Sequence, residues 1–355
     1  MSDDDPIVDL KSAGFRMPPE WHPHAATWMA WPHNTETWPH NLSAAQDEFR
    51  QLAAAISKEE PVLVIGDLDD PSKGLDKLFE MPESRNGEIQ LLNIPTNDAW
   101  IRDFGPTFCI NPAIQRLAAI DWQYNAWGGK YPPYEADQQA VVRMLADPTR
   151  IPNCLHVRPD LCLEGGALEM DEEGLLLCTT DCALNPNRNP NLNQKNVTDK
   201  LEQTLGANHT IWISGGSIPG DDTDGHIDQQ ARFTPSGAIL YAWSDPADVQ
   251  FSSLAKNLKQ LRHGLQTANI NKQLVPLPLP APVSFQGRRL PASYCNFYVT
   301  NHSVWVPQFD APEDRPALEI IAQHFPQHAA VGLPSRNLLA GLGSFHCLTQ
   351  QQPVV

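Results

Sequence analysis

Chemistry-bearing residues return along this chain at nearly even intervals. Asp103 closes the run Asn97-Asp98-Ala99-Trp100-Ile101-Arg102-Asp103, and Glu164 opens Glu164-Gly165-Gly166. His226 sits in Asp224-Gly225-His226-Ile227-Asp228, Asn296 ends Tyr294-Cys295-Asn296, and Cys347 lies between Gly343 and Gln350. The steps are 61 residues from Asp103 to Glu164, 62 to His226, 70 to Asn296 and 51 to Cys347. Between these islands the same order recurs: strand, strand, helix, strand, then a polar or Gly-rich loop. A recurrence of this kind points to one structural unit used five times. Units rotated about a common axis would bring all five loops to one mouth. The competing organisation is an ordinary α/β sheet whose spacing is coincidental.

The elements follow from apolar periodicity. Residues 25–31 and 61–66 read as strands, and Phe49, Leu52, Ala53 and Ile56 fall on one helical face after Ser43. Helices are expected at 134–146, 197–205, 247–268 and 313–324, each followed by a strand. The 33 prolines cluster where elements end, as at Pro18-Pro19 and Pro132-Pro133. Residues 1–16 read as a loose arm, and residues 17–355 as one catalytic domain.

Composition narrows the function classes. The net charge of −17 argues against nucleic acid and anionic membranes as partners and suits a small cationic ligand. No apolar run approaches the roughly 18 residues of a membrane helix. The acidic start Met-Ser-Asp-Asp-Asp lacks the basic patch and apolar stretch of a secretory signal. A soluble cytoplasmic protein is expected. The seven cysteines form no paired short spacings; Cys178 and Cys182 are four apart, but no second Cys/His pair completes a zinc site. Neither metal nor cofactor is expected.

A thiol, an imidazole and carboxylates are what metal-free hydrolysis of a guanidinium requires. Two carboxylates gripping its N–H groups fix its plane and localise its charge; Asp103 and Asp228 are the pair. Cys347 is the nucleophile, and a bound cation would favour its thiolate. His226 would give a proton to departing ammonia and then take one from the hydrolytic water. Glu164 would orient the imidazole. Trp100 and Trp127, in polar and Gly-rich contexts, suit a cation-binding pocket. Asp222 is a candidate for a second cationic group, and Asn296 holds the matching place in the fourth unit. Each has a bland reading: Asp103 could pair with Arg102, Glu164 could be a solvated turn residue, and the dense acids Asp221, Asp222, Asp224 and Asp228 could bind Ca²⁺ or Mg²⁺, although their spacing misses the EF-hand loop.

Trp28-Met29-Ala30-Trp31-Pro32, the 97–103 run, Asn125-Ala126-Trp127-Gly128-Gly129, Leu163-Glu164-Gly165-Gly166, Asn185-Pro186-Asn187-Arg188-Asn189-Pro190, the 220–228 run and His346-Cys347-Leu348-Thr349-Gln350-Gln351 resemble the agmatine deiminases. These form a branch of the guanidine-modifying enzymes close to bacterial peptidylarginine deiminases. The resemblance spans about residues 17–353. It implies a five-bladed α/β propeller (the pentein fold) with its site on the pseudo-fivefold axis. It implies cofactor-free hydrolysis of agmatine to N-carbamoylputrescine and ammonia, within putrescine synthesis, by a homodimer. By motif, Cys347 matches the nucleophile, His226 the acid/base, Glu164 the carboxylate behind it, and Asp103 and Asp228 the guanidinium grip. Ala99 stands where Ser is common, and Leu342 where a third glycine is common.

Three alternatives remain open to the sequence. The substrate could be free or peptidyl arginine, with Arg102 or Arg188 pairing an α-carboxylate. The 221–228 acids could build a metal-dependent hydrolase. The protein could bind polyamines without turning them over.

Overall fold

The computed structural model describes residues 9–79, 88–216 and 218–355. It is a mixed α/β fold whose strands form five main sheets and one short hairpin. One wiring repeats in four of the sheets. Thr107–Asn111, Glu169–Met170, Ala231–Phe233 and Tyr298–Val299 each run antiparallel to the next strand, Arg116–Ile120, Leu175–Thr179, Ala238–Trp243 or Ser303–Gln308. After helical residues, Cys154–Val157, His209–Ile213, Gln273–Pro278 or Ala329–Pro334 then returns parallel to that second strand. A parallel return needs such a crossover, because a tight turn can only reverse the chain.

The first sheet borrows its opening strand from the other end of the chain. Thr349–Pro353 pairs antiparallel with His24–Ala30, and Val62–Gly66 and Ile89–Asn93 join in parallel. The helix Leu42–Ile56 covers this sheet with Phe49, Leu52, Ala53 and Ile56, all fully buried. The larger of these side chains contribute roughly 1.5–3 kcal/mol each. Among the described residues no ladder closes into a barrel.

Three local expectations change. The helix expected over 134–146 divides into Glu135–Gln138 and Ala140–Leu145. The strand Thr349–Pro353 has no signal in the sequence, because its polar glutamines carry no apolar pattern. It is nevertheless wholly buried, and partners on other elements satisfy its side chains: Arg102 donates to Gln351 and Trp28 to Gln352. Finally, residues 1–8 of the expected arm lie outside the described residues, and the rest of the arm is packed. Leu10 and Phe15 join the core, and Arg16 and Ile110 exchange backbone hydrogen bonds of 3.0 and 2.8 Å.

Each sheet delivers one turn to a shared centre, beyond the end of its last parallel strand. These turns are Ile101–Phe104, Gly165–Ala167, Ile227–Gln229, Tyr294–Asn296 and the segment around residues 346–348. The first four touch in sequence order. The His346 amide then donates to the Asn296 carbonyl at 3.2 Å, and the Arg102 amide to the Cys347 carbonyl at 3.2 Å, which returns to the first turn.

Candidate active site

These five turns bring the predicted residues together. Cys347 and Asp103 line a cleft of about 890 Å³, with Trp100, Trp127 and Asp222 also on its wall. Asp228, His226, Glu164 and Asn296 stand behind that surface and are all but fully buried. Cys347 Sγ lies 3.6 Å from Asp228 Oδ2, and Asn296 Nδ2 donates to both, at 3.2 and 3.1 Å. Asp103 Oδ2 accepts from the indole of Trp127 at 2.9 Å, and its Oδ1 from the Gly166 amide at 3.0 Å.

Gly166 is required by proximity. A Cβ there would meet His226 Nδ1 at 2.6 Å, Asp103 Oδ1 at 2.8 Å and Asp228 Oδ2 at 3.1 Å. The Glu164-Gly165-Gly166 turn therefore lets the imidazole and the carboxylates of Asp103 and Asp228 approach one point. The His226 turn is shaped by Asp221. Its carboxylate accepts from Thr223 and from the amide of Gly225, and Thr223 Oγ1 then accepts from the His226 amide at 3.1 Å. Such Asx-type bonds favour a tight turn over regular structure.

His226 sits between carboxylates, with Nδ1 3.6 Å from Asp103 and Nε2 3.5 Å from Glu164. Burial disfavours its charge, but Asp103, Cys182 and Glu164 together raise its pKa well above the ordinary value. Glu164 is itself held low despite burial, by His226 and by Arg188, whose Nε donates to it at 2.9 Å. Asp103 behaves oppositely. Burial pushes it up to about 6, with His226 opposing and Asp228 and Glu164 adding to the rise. Burial and the same two aspartates raise the Cys347 thiol well above its usual range. These shifts favour a neutral thiol beside a protonated imidazole, with carboxylates in excess around them.

The bland readings meet specific geometry. Arg102 does not pair with Asp103; it reaches Glu20 at 3.4 Å, Gln351 at 2.8 Å and the carbonyl of His346 at 3.2 Å. Arg188 is likewise buried against Glu164 and Asp224. Neither is free to meet an α-carboxylate. The acids of 221–228 diverge: Asp221 shapes its turn, Asp222 accepts from Tyr131, Asp224 pairs with Lys130 and Arg188, and Asp228 faces Cys347. Among the described residues one trio, Glu164, Cys182 and His226, has donor atoms within 4.8 Å of one another. Arg188 holds the other oxygen of that glutamate, Oε1, while burial pushes the Cys182 thiol up to about 11, which disfavours the thiolate a metal needs.

Sequence reasoning missed the supporting residues Glu20, Arg232, His346 and Cys182, and gave Arg188 a substrate contact where it instead pairs with Glu164 and Asp224. His346 and Arg188 stand inside family-like runs, and a charged Arg232 in the apolar strand Ala231–Phe233 is a signal of buried pairing.

The chain belongs to the Porphyromonas-type peptidyl-arginine deiminase family, whose model matches residues 16–353. An agmatine deiminase of Pseudomonas aeruginosa (strain LESB58) is 34% identical over 98% of each chain. The solved agmatine deiminase of Enterococcus faecalis superposes with a TM-score of 0.87 at 29% identity, over 97% of both chains. A substrate-bound agmatine deiminase from C. jejuni gives a TM-score of 0.83 at 29% identity, over 95% of this chain and 96% of that one. A dimethylarginine dimethylaminohydrolase, at 10% identity and a TM-score of 0.50 over 93% of this chain and 100% of that one, shares the fold alone. No helix among the described residues is long and apolar enough to cross a membrane.

Proposed function

We propose that this chain is an enzyme that hydrolyses the guanidino group of agmatine to N-carbamoylputrescine and ammonia through a covalent intermediate on Cys347. The observation that carries this reading is the paired carboxylates of Asp103 and Asp228 beside a thiol at the cleft wall. A guanidinium entering there supplies the cation that the site lacks. It compensates the two aspartates that hold the thiol neutral, so substrate binding itself favours the thiolate, and the thiol proton is released to solvent. The thiolate attacks the guanidinium carbon, the C–N bond breaks, and the His226 imidazolium gives its proton to the departing ammonia. The C–S bond then holds a thiouronium. The now neutral His226 takes a proton from water, hydroxide adds to the carbon, the C–S bond breaks, the hydroxyl proton passes to solvent as the carbonyl forms, and the urea product leaves with the thiolate restored. Glu164 keeps the imidazole oriented through both steps.

The amine tail has acidic candidates of its own. Asp222 lines the cleft, as does Asp98, which burial pushes up to about 6. A bound ammonium would favour the ionised form of both. Trp100 and Trp127 would flank the methylene chain. The wiring shared by four sheets, the four-stranded sheet that closes the chain's two ends together, and the returning set of turns support a five-bladed propeller formed by residues 17–355 as one catalytic unit.

Ammonia release from agmatine in excess EDTA, wild type beside Cys347→Ala, tests the reading. Activity confined to the wild type is expected. Equal release by the variant, loss of activity in chelator, or turnover of arginine or an arginyl peptide in preference to agmatine would overturn it.

A further inference from the structure

His346 precedes the candidate nucleophile and is buried, and neither step of the hydrolysis uses it. Its Nδ1 lies 2.8 Å from Asp228 Oδ2, and its Nε2 lies 2.8 Å from Glu20 Oε2. A neutral imidazole has one N–H and so serves only one of two such acceptors. Glu20 also meets Arg232 at 3.0 Å and Arg102 at 3.4 Å, and Arg232 Nε meets Glu169 at 3.0 Å. Arg102 Nε donates to the His346 carbonyl, and Cys347 Sγ and Asn296 flank the same Asp228 oxygen. A neutral ring would leave Glu20 Oε2 or Asp228 Oδ2 facing an unprotonated nitrogen across 2.8 Å in the dry interior, beside a thiol that must ionise.

Asp228 shows what the ring does. Its Oδ1 is buried with no hydrogen-bond partner, the oxygen left to meet substrate. Burial would raise this carboxyl, but the hydrogen bond and charge of His346, then His226 and Arg232, hold it below the ordinary range. Resting on the guanidine-hydrolysis reading, we propose that His346 is a positioning residue protonated on both ring nitrogens, anchored on Glu20 and holding Asp228 ionised, with its free oxygen presented to the guanidinium.

Agmatine kinetics of His346→Asn across pH test this. At neutral pH the variant's KM should rise roughly tenfold or more, the scale of a lost charge-assisted hydrogen bond. That excess should shrink as pH rises, because higher pH ionises Asp228 without the ring. A KM ratio that stays flat across pH, with only yield or Tm lowered, would mean a structural role and overturn the proposal. Should the variant not fold, ¹⁵N-histidine spectra of the wild type decide. The Phe345-His346 step occurs once in the chain and identifies the ring. Two protonated ring nitrogens at neutral pH are expected, and a neutral ring overturns the proposal. Because this arm needs no turnover, wild-type protein inactive on agmatine would overturn the parent reading while the charge of the ring is still decided.

Discussion

The indole of Trp127 is the sharpest lever at the scale of single residues. It donates to Asp103 Oδ2 from a backbone held at φ +56°, so the turn is strained to put it there. Burial raises Asp103, and Trp127 is among the groups that oppose the rise. In Trp127→Phe the carboxyl should rise further. The guanidinium grip needs the ionised form, so the acid limb of kcat/KM for agmatine should move to higher pH, and kcat/KM at neutral pH should fall by roughly tenfold. A pH–rate profile checks both. The residues named from sequence were legible because each carries chemistry beside glycine or in a polar turn. Glu20 and Arg232 were not, because a buried charge is explained only by a partner that the sequence places far away.

One element decides where the thiol stands. The short helix Arg336–Leu339 precedes the Cys347 loop, and its own N-cap residue makes no side-chain cap. Glu48, from the distant helix Leu42–Ile56, supplies it. Its carboxylate accepts the amides of Asn337 and Leu338 at 2.8 Å each and the Asn337 side chain at 2.7 Å. Glu48→Ala should cost about 1–3 kcal/mol, read as a lower urea midpoint with unchanged slope. It should reduce kcat while the Asp103 grip is untouched. The helix is not legible in the sequence, since four residues show no periodicity and its cap comes from elsewhere. Gln273–Pro278 contains Pro276 and Pro278 and still forms a strand, because it lies at the edge of its sheet.

For the whole molecule, the buried charge cluster sets the acid limit of stability. Glu20, Glu164 and Asp228 are all held below their ordinary range, with ion pairs and hydrogen bonds outweighing burial. A depressed carboxyl contributes stability that is fully present above its unfolded pKa, about 4, and is lost as pH falls through the folded value. The Tm should therefore fall steeply as pH drops below about 4. In Glu20→Gln the Tm at neutral pH should be lower and the acid slope shallower. A variant slope equal to that of the wild type would contradict this account.

The sequence by itself determined the candidate reacting groups, their order, and the strand–strand–helix–strand rhythm that separates them, because side-chain chemistry and apolar periodicity are local properties. It also carried the polar strand Thr349–Pro353 and the side chains of Glu20 and His346, but without meaning. Only the tertiary structure decided that Arg102 meets Gln351, 249 residues away, that the last strand pairs with the first, and which carboxylates are ionised. Those outcomes depend on burial and on distances between turns, and both come into being when the sheets pack.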